Sequence, residues 1–221
     1  LSNKNPTKDI SEDDKKNKLM LSTSNKKRLV KVGNSLIFGG KKIPIIAGPN
    51  GVENKKLMFQ VAKQLTKLKI KIIRGHAYKP LTFPYRSSKY KESRNEGMDI
   101  MDMVKKEFHL KVVTEVTEMR FLDRILKTAD ILQVGSRNMQ NLELLKEVAL
   151  TKKPIILKRH FGSSLRDLLG AAEHILVQGN FNLILCERGV SIPHTHKETS
   201  RFALDVQAIP ALKELTKFPI I

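Results

Sequence analysis

Six charged residues recur at one kind of position along the chain, just after short apolar runs that predict β-strands. Five are cations and one is a carboxylate: Arg74, Lys79, Glu115, Arg137, Lys158 and Arg188. Arginine donates a planar pair of N–H groups and lysine is a point charge, and together they suit a ligand with a phosphate and a carboxylate. A single cation at a strand end usually marks only where burial stops. Its repetition predicts an anion-binding site.

The residues that must position these charges alternate between strand and helix patterns. The predicted strands are Ile43–Ala47, Ile70–Ile73, Lys111–Thr114, Ile131–Val134, Pro154–Leu157, Leu183–Cys186 and Phe218–Ile221. The predicted helices are Glu53–Leu68, Arg94–Phe108, Glu118–Thr128, Asn138–Leu150, Leu165–Gln178 and Thr199–Leu215. Strands separated by single helices form a parallel sheet with helices outside it.

The fold class predicted is α/β, a TIM (β/α)8 barrel that is truncated after strand 7. In such a barrel the loops after the strands form the active site. An open doubly wound sheet is the alternative, but Gly48-Pro49-Asn50-Gly51 lacks the glycine pattern of its phosphate-binding turn. Before the barrel, Arg28–Val32 and Ser35–Phe38 flank Gly33-Asn34, which predicts a short N-terminal β-hairpin.

The predicted organisation is a leader followed by one domain. Residues 1–28 are lysine-rich and without apolar periodicity, which predicts a flexible leader. Residues 29–221 are predicted to form the incomplete barrel, with residues 29–42 as its hairpin cap. The first residue is Leu1 and not Met, so we expect the sequence to begin inside a longer chain.

Composition narrows the classes of partner. Lys and Arg total 41 against 22 Asp and Glu, a net charge of +19 that favours anionic partners. Nucleic acid is disfavoured, because 3 Tyr, 9 Phe and no Trp offer few stacking platforms. No apolar run approaches the ~18 residues that predict a membrane span. A single cysteine suits a reducing compartment, and we expect a cytoplasmic protein.

Six sequence blocks, in this order, carry a family resemblance. They are Ile46-Ala47-Gly48-Pro49, Arg74-Gly75-His76-Ala77-Tyr78-Lys79-Pro80, Thr114-Glu115, Gln133-Val134-Gly135-Ser136-Arg137-Asn138-Met139-Gln140-Asn141, Leu157-Lys158-Arg159 and Cys186-Glu187-Arg188-Gly189. Together they resemble 3-deoxy-7-phosphoheptulonate (DAHP) synthase, in its compact bacterial branch related to 3-deoxy-octulosonate 8-phosphate synthase. The resemblance runs from about Val30 to the last residue. It implies a TIM barrel whose bottom is plugged by the hairpin.

The resemblance also implies an activity and roles for single residues. The family condenses phosphoenolpyruvate with erythrose 4-phosphate, the first step of aromatic amino-acid synthesis by the shikimate pathway. By resemblance, Lys79 is a candidate proton donor and Glu115 positions the attacking water. The residues implied in substrate binding are Arg74, Lys79, Thr82, Ser136, Arg137, Lys158 and Arg188, of which Arg137, Lys158 and Arg188 hold the phosphate of phosphoenolpyruvate.

The sequence departs from the family pattern at several positions. Asn50 stands where the family has its metal-binding cysteine, and the other ligands would follow Ile221, so no metal is expected although the family uses a divalent one. Leu81 replaces an arginine that grips the phosphate of the aldose, a contact worth about 2–3 kcal/mol. His76 and His160 replace glycines.

The resemblance and these departures together leave two functions open. The first is a DAHP synthase-like transferase with phosphoenolpyruvate and a phosphorylated aldose as partners. The alternative is a non-catalytic phosphometabolite-binding or assembly subunit derived from that enzyme, which would bind phosphoenolpyruvate without forming product. The family default is self-association, and pairing with a complete homologue is the other assembly we expect.

Overall fold

The computed structural model describes residues 26–79, 92–192 and 201–221. Its strands are β1 Val30–Val32, β2 Leu36–Phe38, β3 Ile46–Ala47, β4 Ile72–Arg74, β5 Lys111–Val116, β6 Ile131–Val134, β7 Ile155–Lys158, β8 Leu183–Cys186, β9 Val190–Ser191 and β10 Phe202–Ala203. Its helices are α1 Lys55–Lys67, α2 Arg94–Phe108, α3 Leu122–Leu126, α4 Leu142–Leu150, α5 Leu165–Leu176 and α6 Ala208–Leu215. Single 3₁₀ turns, Met119–Phe121 and Ser136–Asn138, follow β5 and β6.

Strands β3 to β8 form one parallel sheet in chain order. A helix lies between most consecutive strands, which is the alternation that the sequence predicts, and the α/β barrel fold class is confirmed. Because parallel strands in chain order all point the same way, their carboxyl-terminal ends lie at one edge of the sheet. That edge carries the candidate site.

The seventh predicted strand, Phe218–Ile221, lies beside β8. Ile220 forms an isolated parallel bridge to Leu185, and the Leu185 N–H donates to the Pro219 carbonyl at 2.9 Å. Ile221 N–H donates to the Leu185 carbonyl at the same distance. The segment therefore extends the sheet in the predicted order, although only one bridge is formed.

The predicted helix Thr199–Leu215 is wrong over residues 201–207, and its first two residues lie outside the described ranges. Phe202–Ala203 is strand β10, and it pairs antiparallel with β9. Helix α6 begins only at Ala208, whose N–H donates to the Asp205 carboxylate at 3.2 Å. The hydrogen bonds to β9 compete with helix formation here, and local periodicity carries no information about that distant partner.

The hairpin β1–β2 closes the amino-terminal end of the barrel. Val30 pairs with Phe38, and Gly33 in the turn takes a φ of +60°, which glycine adopts without strain. The buried side chains of Val30, Val32 and Phe38 form one cluster with strand residues. Those residues are Ile72, Val113, Ile131, Ile156 and Ile184. Because five strands contribute to it, this cluster forms the floor of the barrel interior.

The helices pack their apolar faces on the outside of the sheet. One cluster joins α1 and α2 to β4 and β5, and a larger one joins α3, α4 and α5 to β6, β7 and β8. Helix α5 begins at a reciprocal cap, in which the Ser164 hydroxyl and the Asp167 carboxylate each bind the other's backbone N–H. No helix of the described ranges is long and apolar enough to cross a membrane.

Candidate active site

The structure brings the predicted site residues that it describes to one end of the sheet. These are Arg74, Lys79, Glu115, Ser136, Arg137, Lys158 and Arg188, whereas Thr82 lies outside the described residues. Arg74 and Lys158 are the last residues of their strands, and Glu115 is the last but one of β5. Their charges act on one another, because those of Lys158, Arg137 and Lys79 all reach the Glu115 carboxyl. The predicted convergence is therefore a property of the fold, while the roles of these residues remain predictions.

Glu115 lies in the middle of the cations, partly buried. Burial raises the pKa of its carboxyl, and the positive charges of Lys158, Arg137 and Lys79 act in the opposite direction. The side-chain amide nitrogen of Gln133 lies 3.1 Å from Oε2 of Glu115, within hydrogen-bond distance. Desolvation is the largest of these influences, so the carboxyl holds a proton more readily than one in water.

Gly135 gives the Glu115 carboxyl its room. A Cβ at this position would lie 2.0 Å from Oε1 of Glu115, far inside van der Waals contact. The backbone of Gly135 has a φ of −67°, so the requirement for glycine here is close approach and not an unusual conformation. Any side chain at position 135 would displace the carboxyl.

Burial desolvates two cations of the group, Lys158 and Arg188. Burial lowers the pKa of Lys158, and the neighbouring Cys186 and Glu115 raise it. Burial also lowers the pKa of Arg188, whose guanidinium carbon lies 3.7 Å from the centre of the Phe202 ring. An anion placed beside these two side chains would replace the hydration that burial has removed.

Arg188 and Ser136 carry buried polar atoms without hydrogen-bond partners. Among the described residues, nothing accepts from Nε or Nη1 of Arg188 or pairs with the Ser136 hydroxyl. Buried donors are nearly always paired in folded proteins, because an unpaired one costs about 1–3 kcal/mol. Two residues with unpaired buried polar atoms at one end of the barrel therefore indicate a site where a polar ligand would supply the missing hydrogen bonds.

Arg159 follows Lys158 directly but has a different task. Its Nη1 donates at 2.9 Å to both Glu187 and Asp205, and its Nε and Nη2 both donate to the Ser163 carbonyl. All three of its nitrogens are therefore occupied within the fold. The sequence places two cations after β7, and only the structure separates the candidate ligand-binding one from the one that ties loops together.

The position of Lys79 is set by the contacts of its neighbour Tyr78. The Tyr78 ring is buried and stacks on Phe121 with 4.2 Å between centroids. Its hydroxyl donates to the Asn95 side chain at 2.5 Å. The loop after β4 is thereby fixed up to Lys79 by contacts with the starts of α2 and of the segment after β5.

His76 and Gln133 are site residues to which sequence reasoning gave no role. His76 is only 2% exposed, and the Glu115 N–H donates to its Nδ1 at 2.9 Å. Burial lowers its pKa to about 3, and the charges of Arg74, Lys158 and Lys79 act in the same direction. The signal in the sequence was the occurrence of His76 where the family has glycine, together with the polar residue Gln133 inside an otherwise apolar strand.

The described residues do not fit a divalent-metal site. Asn50 is exposed in the loop after β3, where Gly51 forms a bridge with His76. No group of three or more His, Cys, Asp or Glu side chains in the described ranges is arranged to hold a metal ion. We derive no chemical step through a metal here.

The curled parallel sheet defines an α/β protein of the TIM-barrel class, and the cations at its carboxyl-terminal edge form a candidate site for anionic ligands. Comparison with known proteins identifies the family within this class. The chain belongs to the DAHP synthetase I family, whose sequence pattern matches residues 18–221. The resemblance seen in the sequence blocks is therefore confirmed.

Individual relatives agree with this assignment. The chain is 35% identical over 192 residues to the phospho-2-dehydro-3-deoxyheptonate aldolase of Thermotoga maritima, covering 87% of this chain and 53% of that one. It is 28% identical over 197 residues to the 2-dehydro-3-deoxyphosphooctonate aldolase of Fusobacterium nucleatum, covering 87% and 68%. The crystal structure of the Thermotoga maritima DAHP synthase superposes with a TM-score of 0.80 at 33% identity, over 88% of this chain and 55% of that one. The chain thus spans about half the length of the Thermotoga relative.

Proposed function

We propose that this chain binds phosphoenolpyruvate at the carboxyl-terminal edge of its barrel and condenses it with a phosphorylated aldose, erythrose 4-phosphate by family analogy. The observation that carries the proposal is the pair of orphaned buried groups on Arg188 and Ser136. They lie with Lys158 and Arg137 on consecutive loops of one edge. A phosphate would satisfy the donors and neutralise the charges together.

The proposed reaction joins C3 of phosphoenolpyruvate to the aldehyde carbon of the aldose. The aldehyde oxygen takes up a proton, for which Lys79 is the candidate donor. Water adds to C2 of the former phosphoenolpyruvate, oriented by Glu115, and gives up one proton. The bond between C2 and the bridging oxygen then breaks, and the new C2 hydroxyl passes its proton to the departing phosphate. A ketone and inorganic phosphate result, and the proton that water gave up restores the one taken by the aldehyde oxygen, so atoms and protons balance.

Charge accumulates on the leaving phosphate as that bond breaks. Arg137, Lys158 and Arg188 are proposed to hold this phosphate, and Arg74 to contact the same substrate. Because burial has already stripped water from Lys158 and Arg188, their stabilisation of the growing charge needs little reorganisation.

The proposal sets the reaction in the cytoplasm. Cys186, the chain's single cysteine, is a free thiol at the end of β8, and burial raises its pKa. A reducing compartment keeps such a thiol unmodified.

Calorimetric titration of phosphoenolpyruvate into the chain tests the proposal. Arg188→Ala should weaken binding by about 10- to 100-fold, because charge-assisted hydrogen bonds to the phosphate are lost. Arg120→Ala is the matched control, since Arg120 is exposed, pairs with Glu118 and lies after β5. The control should bind as the unsubstituted chain does.

Release of inorganic phosphate on addition of erythrose 4-phosphate separates the two functions derived from the sequence. Binding followed by phosphate release supports the condensation. Binding without phosphate release identifies a phosphometabolite-binding protein. Failure of the folded, unsubstituted chain to bind phosphoenolpyruvate contradicts the proposal in both forms.

Gly135→Ala tests the place of Glu115 in the reaction. The new methyl group would lie 2.0 Å from Oε1 of Glu115, so the carboxyl should swing away from Gln133 while the backbone stays in place. We expect the rate of phosphate release to fall at least about 100-fold, the lower end of what a positioned acid–base group contributes. Phosphoenolpyruvate affinity should change by less than about threefold. A variant as active as the original chain would show that the position of this carboxyl is unimportant.

A further inference from the structure

His76 is a buried titratable group at the site that the proposed reaction does not use. Its backbone is anchored, since the Val52 N–H donates to the His76 carbonyl at 3.1 Å. Its ring receives a hydrogen bond at Nδ1 from the Glu115 N–H at 2.9 Å. A backbone N–H can only donate, so Nδ1 carries no proton. The neutral ring therefore carries its proton on Nε2.

Nε2 of His76 faces a second donor. The Gln133 amide nitrogen lies 3.3 Å from Nε2, and the same nitrogen lies 3.1 Å from Oε2 of Glu115. Oε2 itself is 3.8 Å from Nε2, beyond direct hydrogen-bond length. One atom of the amide thus meets both the imidazole and the carboxyl.

The two ends of the amide suit different proton states of Glu115. When the NH₂ group of Gln133 points toward Glu115 and His76, it can donate to an ionised carboxylate. It then also faces the Nε2–H of His76, so that two hydrogen-bond donors point at each other. After a half turn of the amide, its oxygen accepts from Nε2–H and from a protonated Glu115. A buried pair of opposed donors is costly, which favours the second arrangement.

We propose that His76 is a positioning residue for Glu115, acting through Gln133. Its Nε2–H donates to the amide oxygen of Gln133 and so orients the amide. Glu115 is then protonated and donates to the same oxygen. This inference rests on the proposed function, because it assigns the proton state in which Glu115 meets the substrates.

The charged groups around the network act against this arrangement. Arg74, Lys79 and Lys158 face His76, and Lys79, Arg137 and Lys158 face Glu115. They come from the loop or strand end of β4, β6 and β7, and every one favours the ionised carboxylate. Burial and the His76–Gln133 contact favour the proton, so loss of the histidine should tip the balance toward ionisation.

Nuclear magnetic resonance on the ligand-free chain tests the inference without requiring activity. In protein labelled with ¹⁵N-histidine, His76 should show an unprotonated Nδ1 and a protonated Nε2 between pH 5 and pH 8. In protein labelled with ¹³C-glutamate, the side-chain carboxyl of Glu115 should titrate above the ordinary glutamate range. An imidazolium, an Nδ1–H tautomer or an ordinary Glu115 titration would overturn the proposal.

His76→Asn supplies the second readout. Asparagine keeps an acceptor for the Glu115 N–H but removes Nε2–H, so the Glu115 midpoint should fall by about one pH unit, the equivalent of one net hydrogen bond. His109→Asn, at an exposed helix end, is the control and should leave the midpoint unchanged. A merely structural histidine would predict no shift in either variant, and that result would refute the positioning role. Titration of phosphoenolpyruvate into the same samples reports separately on the proposed function.

Discussion

Arg159→Ala is expected to lower the free energy of unfolding by about 3–5 kcal/mol, the usual effect of breaking a buried ion pair from one side. Arg159 is 6% exposed, and its partner Glu187 is equally buried. Without the guanidinium, the Glu187 carboxylate keeps, within the described part of the chain, the hydrogen bond from the Gly189 N–H at 2.7 Å, and its buried charge has lost the arginine. Asp205 and the Ser163 carbonyl lose their hydrogen bonds from Arg159 in the same step.

The position of Glu187 makes this loss important for the site. Glu187 precedes Arg188, and Asp205 lies between β10 and α6, so Arg159 joins the loops after β7 and β8 to the segment that carries Phe202. Arg188 stacks on Phe202. We therefore expect the variant to bind phosphoenolpyruvate more weakly even below its unfolding transition.

Urea unfolding followed by far-ultraviolet circular dichroism measures the effect, because the chain has no tryptophan for fluorescence. Arg120→Ala is the control for loss of an arginine from an ion pair, since Arg120 is 66% exposed in its pair with Glu118. It should cost no more than about 1 kcal/mol. Equal losses in the two variants would show that the Arg159 network contributes little.

Acid is expected to destabilise the chain steeply through His76. Burial and three neighbouring cations lower the pKa of this residue from 6.5 to about 3 in the folded state. Between these values the unfolded chain binds a proton at His76 and the folded chain does not. Stability therefore falls as the pH falls, by about 1.4 kcal/mol per pH unit from this residue alone.

Glu115 acts in the opposite direction. Burial raises the pKa of its carboxyl, so the folded chain takes up this proton at a higher pH than the unfolded chain does. Its contribution to stability is therefore present at low pH and is lost as the pH rises through the folded-state pKa. A comparison of variants is needed to separate the two residues.

Unfolding of the original chain, His76→Asn and His109→Asn at several pH values between 7 and 4 makes that comparison. His76→Asn should lose less stability per pH unit than the original chain, by an amount approaching 1.4 kcal/mol. His109→Asn removes an exposed imidazole and should keep the original slope. Identical slopes for all three proteins would contradict a histidine that is neutral in the folded state over this range.

Much of the barrel could be predicted from local pattern. Helix α2 has the predicted bounds, Arg94–Phe108, because its apolar spacing, its polar start and the left-handed His109 at its end are all local features. Strands β6 and β8 have the predicted bounds as well. Parallel order follows from the alternation of strands with helices, since each connection brings the chain back to the same edge.

The prediction failed where a distant partner decides the structure. Thr199–Leu215 has helical spacing, but Phe202 and Ala203 pair with β9, and the Asp205 carboxylate both caps α6 and binds Arg159. The local sequence pattern around residue 202 does not indicate pairing with β9 or with Arg159. Tertiary hydrogen bonds therefore override a modest helical preference.

The sequence by itself determined which charges reach the carboxyl-terminal edge of the sheet, because a residue after a parallel strand lies at that edge whatever the packing. It also determined the family, through the order of its blocks. Only the tertiary structure decided which of the two adjacent cations Lys158 and Arg159 stays available to a ligand. It also decided that His76 and Gln133 contact Glu115. The physical reason is that burial and hydrogen-bond pairing depend on side chains from different strands. Their distances are set by the pairing and curvature of the sheet and not by their spacing along the chain.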